Sequence, residues 1–122
     1  MTLDELHKRV TAEILRLEAL PPGSPDAEDL SREICLLERE IARLTEPGEA
    51  RGVAARIGAV ISALEGADPL GAVRLSTEYL AESIPSRARV ELEQLLAEAK
   101  SALEHATSDP IVHPIRFELK AA

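Results

Sequence analysis

Three histidines, one cysteine and a surplus of carboxylates are the side chains here that could carry chemistry. His105 and His113 are separated by a turn signal and a proline, with no cysteine near and no His-x-x-x-His spacing, which is a weak basis for zinc. His105 falls in the last turn of an expected helix, where an imidazolium suits the negative end of the helix dipole. No Glu-x-x-His pair supports a di-iron bundle. Cys35 lies between Glu33 and Glu38 beside Leu36, whereas a nucleophilic thiol needs a base and an electropositive setting. The carboxylates interleave with arginines, as in EREIAR, the pattern of a solvated helix face. Glycines stand singly or at helix ends, so no Gly-rich loop is present to cradle phosphate. These residues predict a protein that is not an enzyme and that uses no metal, cofactor or small-molecule ligand.

Charge and composition narrow the partners. The net charge of −8 disfavours nucleic acid, whose phosphates call for clustered Lys and Arg. Residues 1–46 carry eleven acids against six bases. A single cysteine cannot form an internal disulfide, the N-terminus lacks the layout of a signal peptide, and no apolar run approaches the roughly 20 residues that span a membrane. The expectation is a cytoplasmic protein without a membrane partner. Eleven Arg against three Lys is a usage associated with GC-rich bacterial genomes. With 45% hydrophobic residues and only 2% aromatic, the core must be built of Leu, Ile, Val and Ala, a palette suited to helix-on-helix packing.

The elements follow from caps and periodicity. Thr2 and Glu5 form a capping box ahead of Leu3, Leu6, Val10, Ile14, Leu17 and Leu20, a first helix that PPGSP interrupts. Ser24-Pro25 opens a second with Leu30, Ile34, Leu37, Ile41 and Leu44 on one stripe. A third, over residues 49–65, places Val53, Ile57, Val60, Ile61 and Leu64 inward and ends at Gly66. Asp68-Pro69 opens a fourth, with Leu70, Val73, Thr77, Leu80 and Ile84 inward, and Pro85 breaks it. The fifth runs from Ser86 to about Ala106 with Ala88, Leu92, Leu95, Ala99, Ala102, Leu103 and Ala106 inward. LLAEAKSALEHATSDP resembles the second helix of a tetratricopeptide repeat, although the landmarks of that repeat's first helix are missing and no fixed period recurs.

Flanking charges select how the first two helices pair. A parallel homodimer of the second helix would place Glu33 against Glu38, like against like. Folded back on the first helix, the same stripe meets complementary flanks, Arg9 with Glu40, Arg16 with Glu33 and His7 with Glu38. Such exposed pairs are worth about 0.2–1 kcal/mol each, so apolar burial holds the hairpin while charge orients it. One layer is poor, Glu13 against Ile34, with Ile14 expected to lean in. Leu15, Cys35 and Leu36 face away from this narrow seam, and apolar residues on a second face imply a second contact, either cover by the three later helices or a docked partner.

The tail alone has period two. Ile111, His113, Ile115, Phe117 and Leu119 fall on one side, and Pro110 and Pro114 restrict it to an edge strand or an extended arm. It could lie on its own bundle, exchange with a second copy, or add to another protein's sheet. The expected fold is therefore all-α. An antiparallel, coiled-coil-like hairpin (1–46) and three shorter helices (49–107) form one small bundle over 1–108, with an extended C-terminal arm, β in one reading, over 109–122. The expected function is a protein–protein interaction protein, an adaptor or assembly factor. Its docking residues would be Leu15, Leu36, Ile111, Ile115, Phe117 and Leu119, and it would form a homo-oligomer, a dimer. The competing class is an acidic inhibitor, such as an antitoxin or immunity protein, that occludes a basic surface on its target.

Overall fold

Helix starts are set by side chains that satisfy otherwise orphaned amides. In the computed structural model of this chain, which describes residues 1–108, Thr2 and Glu5 cap α1 (Leu3–Glu18) reciprocally, at 3.2 and 2.7 Å. Ser24 caps α2 (Pro25–Arg43) by accepting from the Ala27 amide at 3.2 Å, with Pro25 in the first turn. α3 (Ala50–Glu65) starts without a side-chain cap at Glu49. Asp68 accepts from Gly71 N at 2.9 Å to open α4 (Pro69–Leu80), again with proline in the first turn. Pro85 precedes α5 (Ser86–Ser108). No strand occurs among the described residues. The expected arm over 109–122, including His113 and the proposed docking residues Ile111, Ile115, Phe117 and Leu119, lies outside them.

Between α3 and α4 there is no spare linker. Asp68 N donates to Ala63 O at 2.9 Å and Ala67 N to Leu64 O at 3.1 Å, the two bonds that close a helix in a Schellman turn. The left-handed position of that turn is held by Ala67, at φ 58°, and not by the neighbouring glycine. Gly66 answers a different need. A Cβ there would strike the Arg32 side chain, which crosses from α2 and donates to the Gly66 carbonyl.

Each helix packs on its neighbour in sequence, and α5 also reaches α3. α1 and α2, joined by a short turn, therefore run antiparallel, and α1 reaches α3 through the exposed Asp4–Arg51 ion pair at 3.8 Å. One apolar cluster runs through all five helices, from Leu6 and Val10 through Cys35, Ile41, Ala59 and Val60 to Tyr79, Leu92 and Ala99. Burying Ile34, Ile41 and Leu92 stabilises the fold by roughly 1.5–3 kcal/mol each.

The packing of α3 and α4 corrects two expected faces. α3 buries Gly52, Ala55, Arg56, Ala59, Val60, Ser62 and Ala63, while Val53, Ile57 and Leu64 are half-buried and Ile61 is exposed. α4 buries Ala72, Leu75, Ser76 and Tyr79, leaving Leu70 and Thr77 exposed. In both helices the small residues point inward, because helices that approach closely leave room only for Ala, Gly and Ser at the line of contact. The last three helices are also not all shorter than the first two, since α5 has 23 residues and is the longest. Good helix formers run unbroken from Glu91 to Ala106, so α5 outruns the 12-residue α4 and exposes Ala102 and Ala106, both expected inward.

Candidate interaction surface

Leu36, the first leucine of CLLERE, is 62% exposed at the edge of a cleft of about 500 Å3 between α2, α3 and α4. α2 contributes Leu36, Arg39 and Arg43 to its walls, α3 contributes Arg56, and α4 contributes Glu78 and Tyr79. Tyr79 is 6% exposed, and its hydroxyl makes no hydrogen bond among the described residues. It is also not among the polar atoms sealed from solvent without a partner, a state found among the described residues only at His7 Nε2, so the hydroxyl opens into the cleft. Burial pushes Tyr79 up to about 12, against the pull of the Arg56 and Arg39 charges, so it stays a neutral donor. Arg39 and Glu78 make no ion pair among the described residues and stand free on opposite walls, one on α2 and the other on α4.

Arg56 closes the inner wall and is itself fully engaged. Its Nε donates to Glu82 Oε1 at 2.6 Å and Nη2 to Glu82 Oε2 at 3.2 Å. Nη1 reaches Gly52 O at 3.0 Å and Thr45 Oγ1 at 3.5 Å, and Nη2 reaches Thr45 O at 3.2 Å. All five guanidinium donors are thus used, which is what allows a side chain this buried to keep its charge. The guanidinium also lies 5.6 Å from the centroid of the Tyr79 ring. Arg56 is a clamp joining the end of α2, the start of α3 and the turn after α4. The sequence reading passed over both residues, although an arginine beside Ile57 inside an apolar stripe, and the chain's one tyrosine, were the available signals.

Leu15, the other helical residue expected to dock partners, is also 62% exposed but lies elsewhere. It flanks a shallow hollow of about 380 Å3 on α1, together with His7 and Thr11. There His7 Nε2 is sealed from solvent with no partner. No described cavity holds both Leu15 and Leu36.

The cross-hairpin ion pairs are replaced by pairs along single helices. Arg9 and Arg16 both turn to Glu13, Arg9 at 3.0 Å, and Glu40 takes Arg43. Arg16 and Glu33 line one cavity near the turn without forming an ion pair, and His7 does not bond Glu38. The reason is local. Glu13, not Ile14, occupies the poor layer, buried to 2% exposure, and its charge draws in the arginines one turn away on either side. The Arg9 hydrogen bond, opposed by burial and aided by Arg16, holds the Glu13 carboxyl below the usual carboxylate range. Glu38 goes the other way. It lies against Gly58, where a Cβ would collide with its carboxylate, and burial without a partner raises it to about 7. Cys35 is buried, donates Sγ–H to Ala59 O at 3.3 Å, and burial raises its thiol, which keeps it a packed and unreactive group.

His105 Nδ1 lies 2.8 Å from the Ser101 carbonyl of its own helix. Among the described residues no cluster of His, Cys, Asp or Glu could hold a metal ion, and no helix is long and apolar enough to cross a membrane. The described residues form an all-helical protein, and no protein-family model, curated protein or solved structure matches the chain.

Proposed function

We propose that this chain is a non-enzymatic interaction protein, an adaptor or assembly factor, that takes a segment of another protein into the cleft beside Leu36. The observation that carries the reading is the buried but unpartnered Tyr79 hydroxyl next to the free Arg39 guanidinium and an exposed leucine. Tyrosine and arginine are among the residues in which interface hot spots are enriched. Leu36 would receive an apolar side chain, and Arg39 with Tyr79 would receive a carboxylate, with Glu78 selecting a base on the far side. Leu15 and His7 on α1 would extend the contact or serve a second partner. Self-association through residues 109–122 completes the proposal, and comparing the solution mass of the full chain with that of a chain ending at Asp109 tests it.

A photo-crosslinking residue placed at position 36 tests the cleft directly. The expected result is one dominant adduct that is absent when the crosslinker stands at the exposed Arg74 position and is lost on Arg39→Glu. Equal labelling from both positions would end the reading. The second reading, an acidic inhibitor, rests on the eleven acids of residues 1–46. It requires association with the target to slow steeply between low and physiological salt, whereas docking at the mixed-charge cleft would change little.

A further inference from the structure

Where the turn after α1 meets the end of α3, a cavity of about 410 Å3 is lined by Leu17, Leu20 and Ala27, with Ser31, Glu18 and Glu65 as its polar groups. Ser31 is 2% exposed, and its hydroxyl has no hydrogen-bond partner among the described residues. Because His7 Nε2 is the only sealed atom without a partner there, the Ser31 hydroxyl opens into this cavity. Glu18 and Glu65 make no ion pair among the described residues. Both stand in the final turn of their helices, α1 and α3, where the helix dipole already presents its negative end and a carboxylate is unfavourable. The last turn of α3 carries no base, and that of α1 has only Arg16, which is committed to Glu13. The nearby Arg32 is held by the Gly66 carbonyl and Asp29. Two helix C-termini and two carboxylates therefore converge on an apolar cavity whose lining includes no cationic side chain.

We propose that this cavity binds a primary alkylammonium group. A short methylene chain would lie on Leu17, Leu20 and Ala27, as the stem of a lysine lies on apolar surface. The three N–H donors of the ammonium would meet the Ser31 hydroxyl and the carboxylates of Glu18 and Glu65, supplying a positive charge to two carboxylates that have no ion-pair partner among the described residues. Two sources share this chemistry, the lysine side chain of a partner protein and a free aliphatic diamine. The cavity involves none of the cleft residues around Tyr79, so its failure as a site would leave the cleft reading untouched.

The test is an NMR titration of the 15N-labelled full chain with n-butylammonium, n-butanol, 1,4-diaminobutane and Nα-acetyl-lysine methylamide. Saturable shifts centred on the Ala27 and Ser31 amides are expected with butylammonium, while butanol binds at least about tenfold more weakly. Glu18→Gln with Glu65→Gln is expected to reduce butylammonium affinity by about tenfold, and both residues are exposed, so the double variant retains the fold. Tighter binding of the lysine amide than of the diamine assigns the site to a partner's lysine, and the reverse assigns it to a free amine. Butanol binding as tightly as butylammonium, an unchanged affinity in the double variant, or shifts confined to other residues would each overturn the proposal.

Discussion

On its α1 side, α2 meets the large aliphatics Leu6 and Val10 and a carboxylate, Glu13, clasped by two arginines. On its α3 side it meets Ala55, Ala59 and Gly58, and there its own Glu38 lies half-buried with no partner. The first seam takes branched side chains and is built from a helix that reaches past α2 through the exposed Asp4–Arg51 ion pair to α3. The second brings two backbones close together and is crossed by buried polar groups that join several elements. The contrast shows that the hairpin, conspicuous in sequence, is the periphery of this molecule, and that the inconspicuous small-residue seam is its centre.

The comparison predicts a ranking. Arg56→Met should cost about 3 kcal/mol in a denaturant melt, because it removes the partner of the partly buried Glu82 carboxylate and of the Thr45 carbonyl together. A loss no larger than that of an ordinary surface change would remove the clamp from the account. Ala59→Leu, which overpacks the close seam at a fully buried position, should cost about 2–3 kcal/mol. If the seam yields without loss, the helices are not held at the short distance argued here.

The two carboxylates give the seams opposite pH signatures. Glu38 rises from 4.5 to about 7, so between those values the native state binds more protons than the unfolded chain, and stability falls as pH rises. The penalty is complete above about 7 and absent below about 4.5. After allowing for solvent on its open side it amounts to about 1–2 kcal/mol, which Glu38→Gln should abolish in melts between pH 4.5 and 8. Glu13, whose carboxyl is lowered by Arg9, contributes above its ordinary value of 4.5 and loses that contribution as pH falls through the native value. Stability should therefore peak near pH 5, and a profile rising steadily to pH 8 would contradict the Glu38 environment. A smaller effect of opposite sense is expected at the helix stop, where Ala67→Gly should raise stability by up to about 1 kcal/mol by relieving the left-handed alanine. Smallest of all, Leu15→Ser and Leu36→Ser should each move the unfolding midpoint by less than about 0.5 kcal/mol, since neither is buried. A large loss at Leu36 would show that it packs internally.

Helix positions were legible because their signals are local. Thr2 with Glu5, Ser24-Pro25, Asp68-Pro69 and Pro85 each act within four residues of the boundary they set. The inward faces of α3 and α4 were not legible in the same way. Periodicity weights large aliphatics, whereas here Ala55, Ala59, Ala72 and Ser76 face the neighbouring helix. Arg56 and Glu82 lie 26 residues apart, so no spacing rule pairs them. Glu13 was visible as a fault in the hairpin seam, and its resolution by two arginines of its own helix shows that i,i+3 and i,i+4 neighbours compete successfully with partners across a turn. Of the interaction surface, Leu15 and Leu36 were readable as apolar residues off the stripe, while the cleft beside Leu36 needed the fold.

Asp68 is at once the last residue of one helix stop and the first cap of the next element, and Gly66, two positions earlier, carries the carbonyl that Arg32 grips. A single residue inserted among these three would rotate α4 by about 100° relative to α3 and break the Arg32 grip. The same double duty recurs on the far side of α4, where Glu82 pairs its carboxylate with Arg56 and lends its carbonyl to Arg89, so a length change at either end of that helix would be felt in the core.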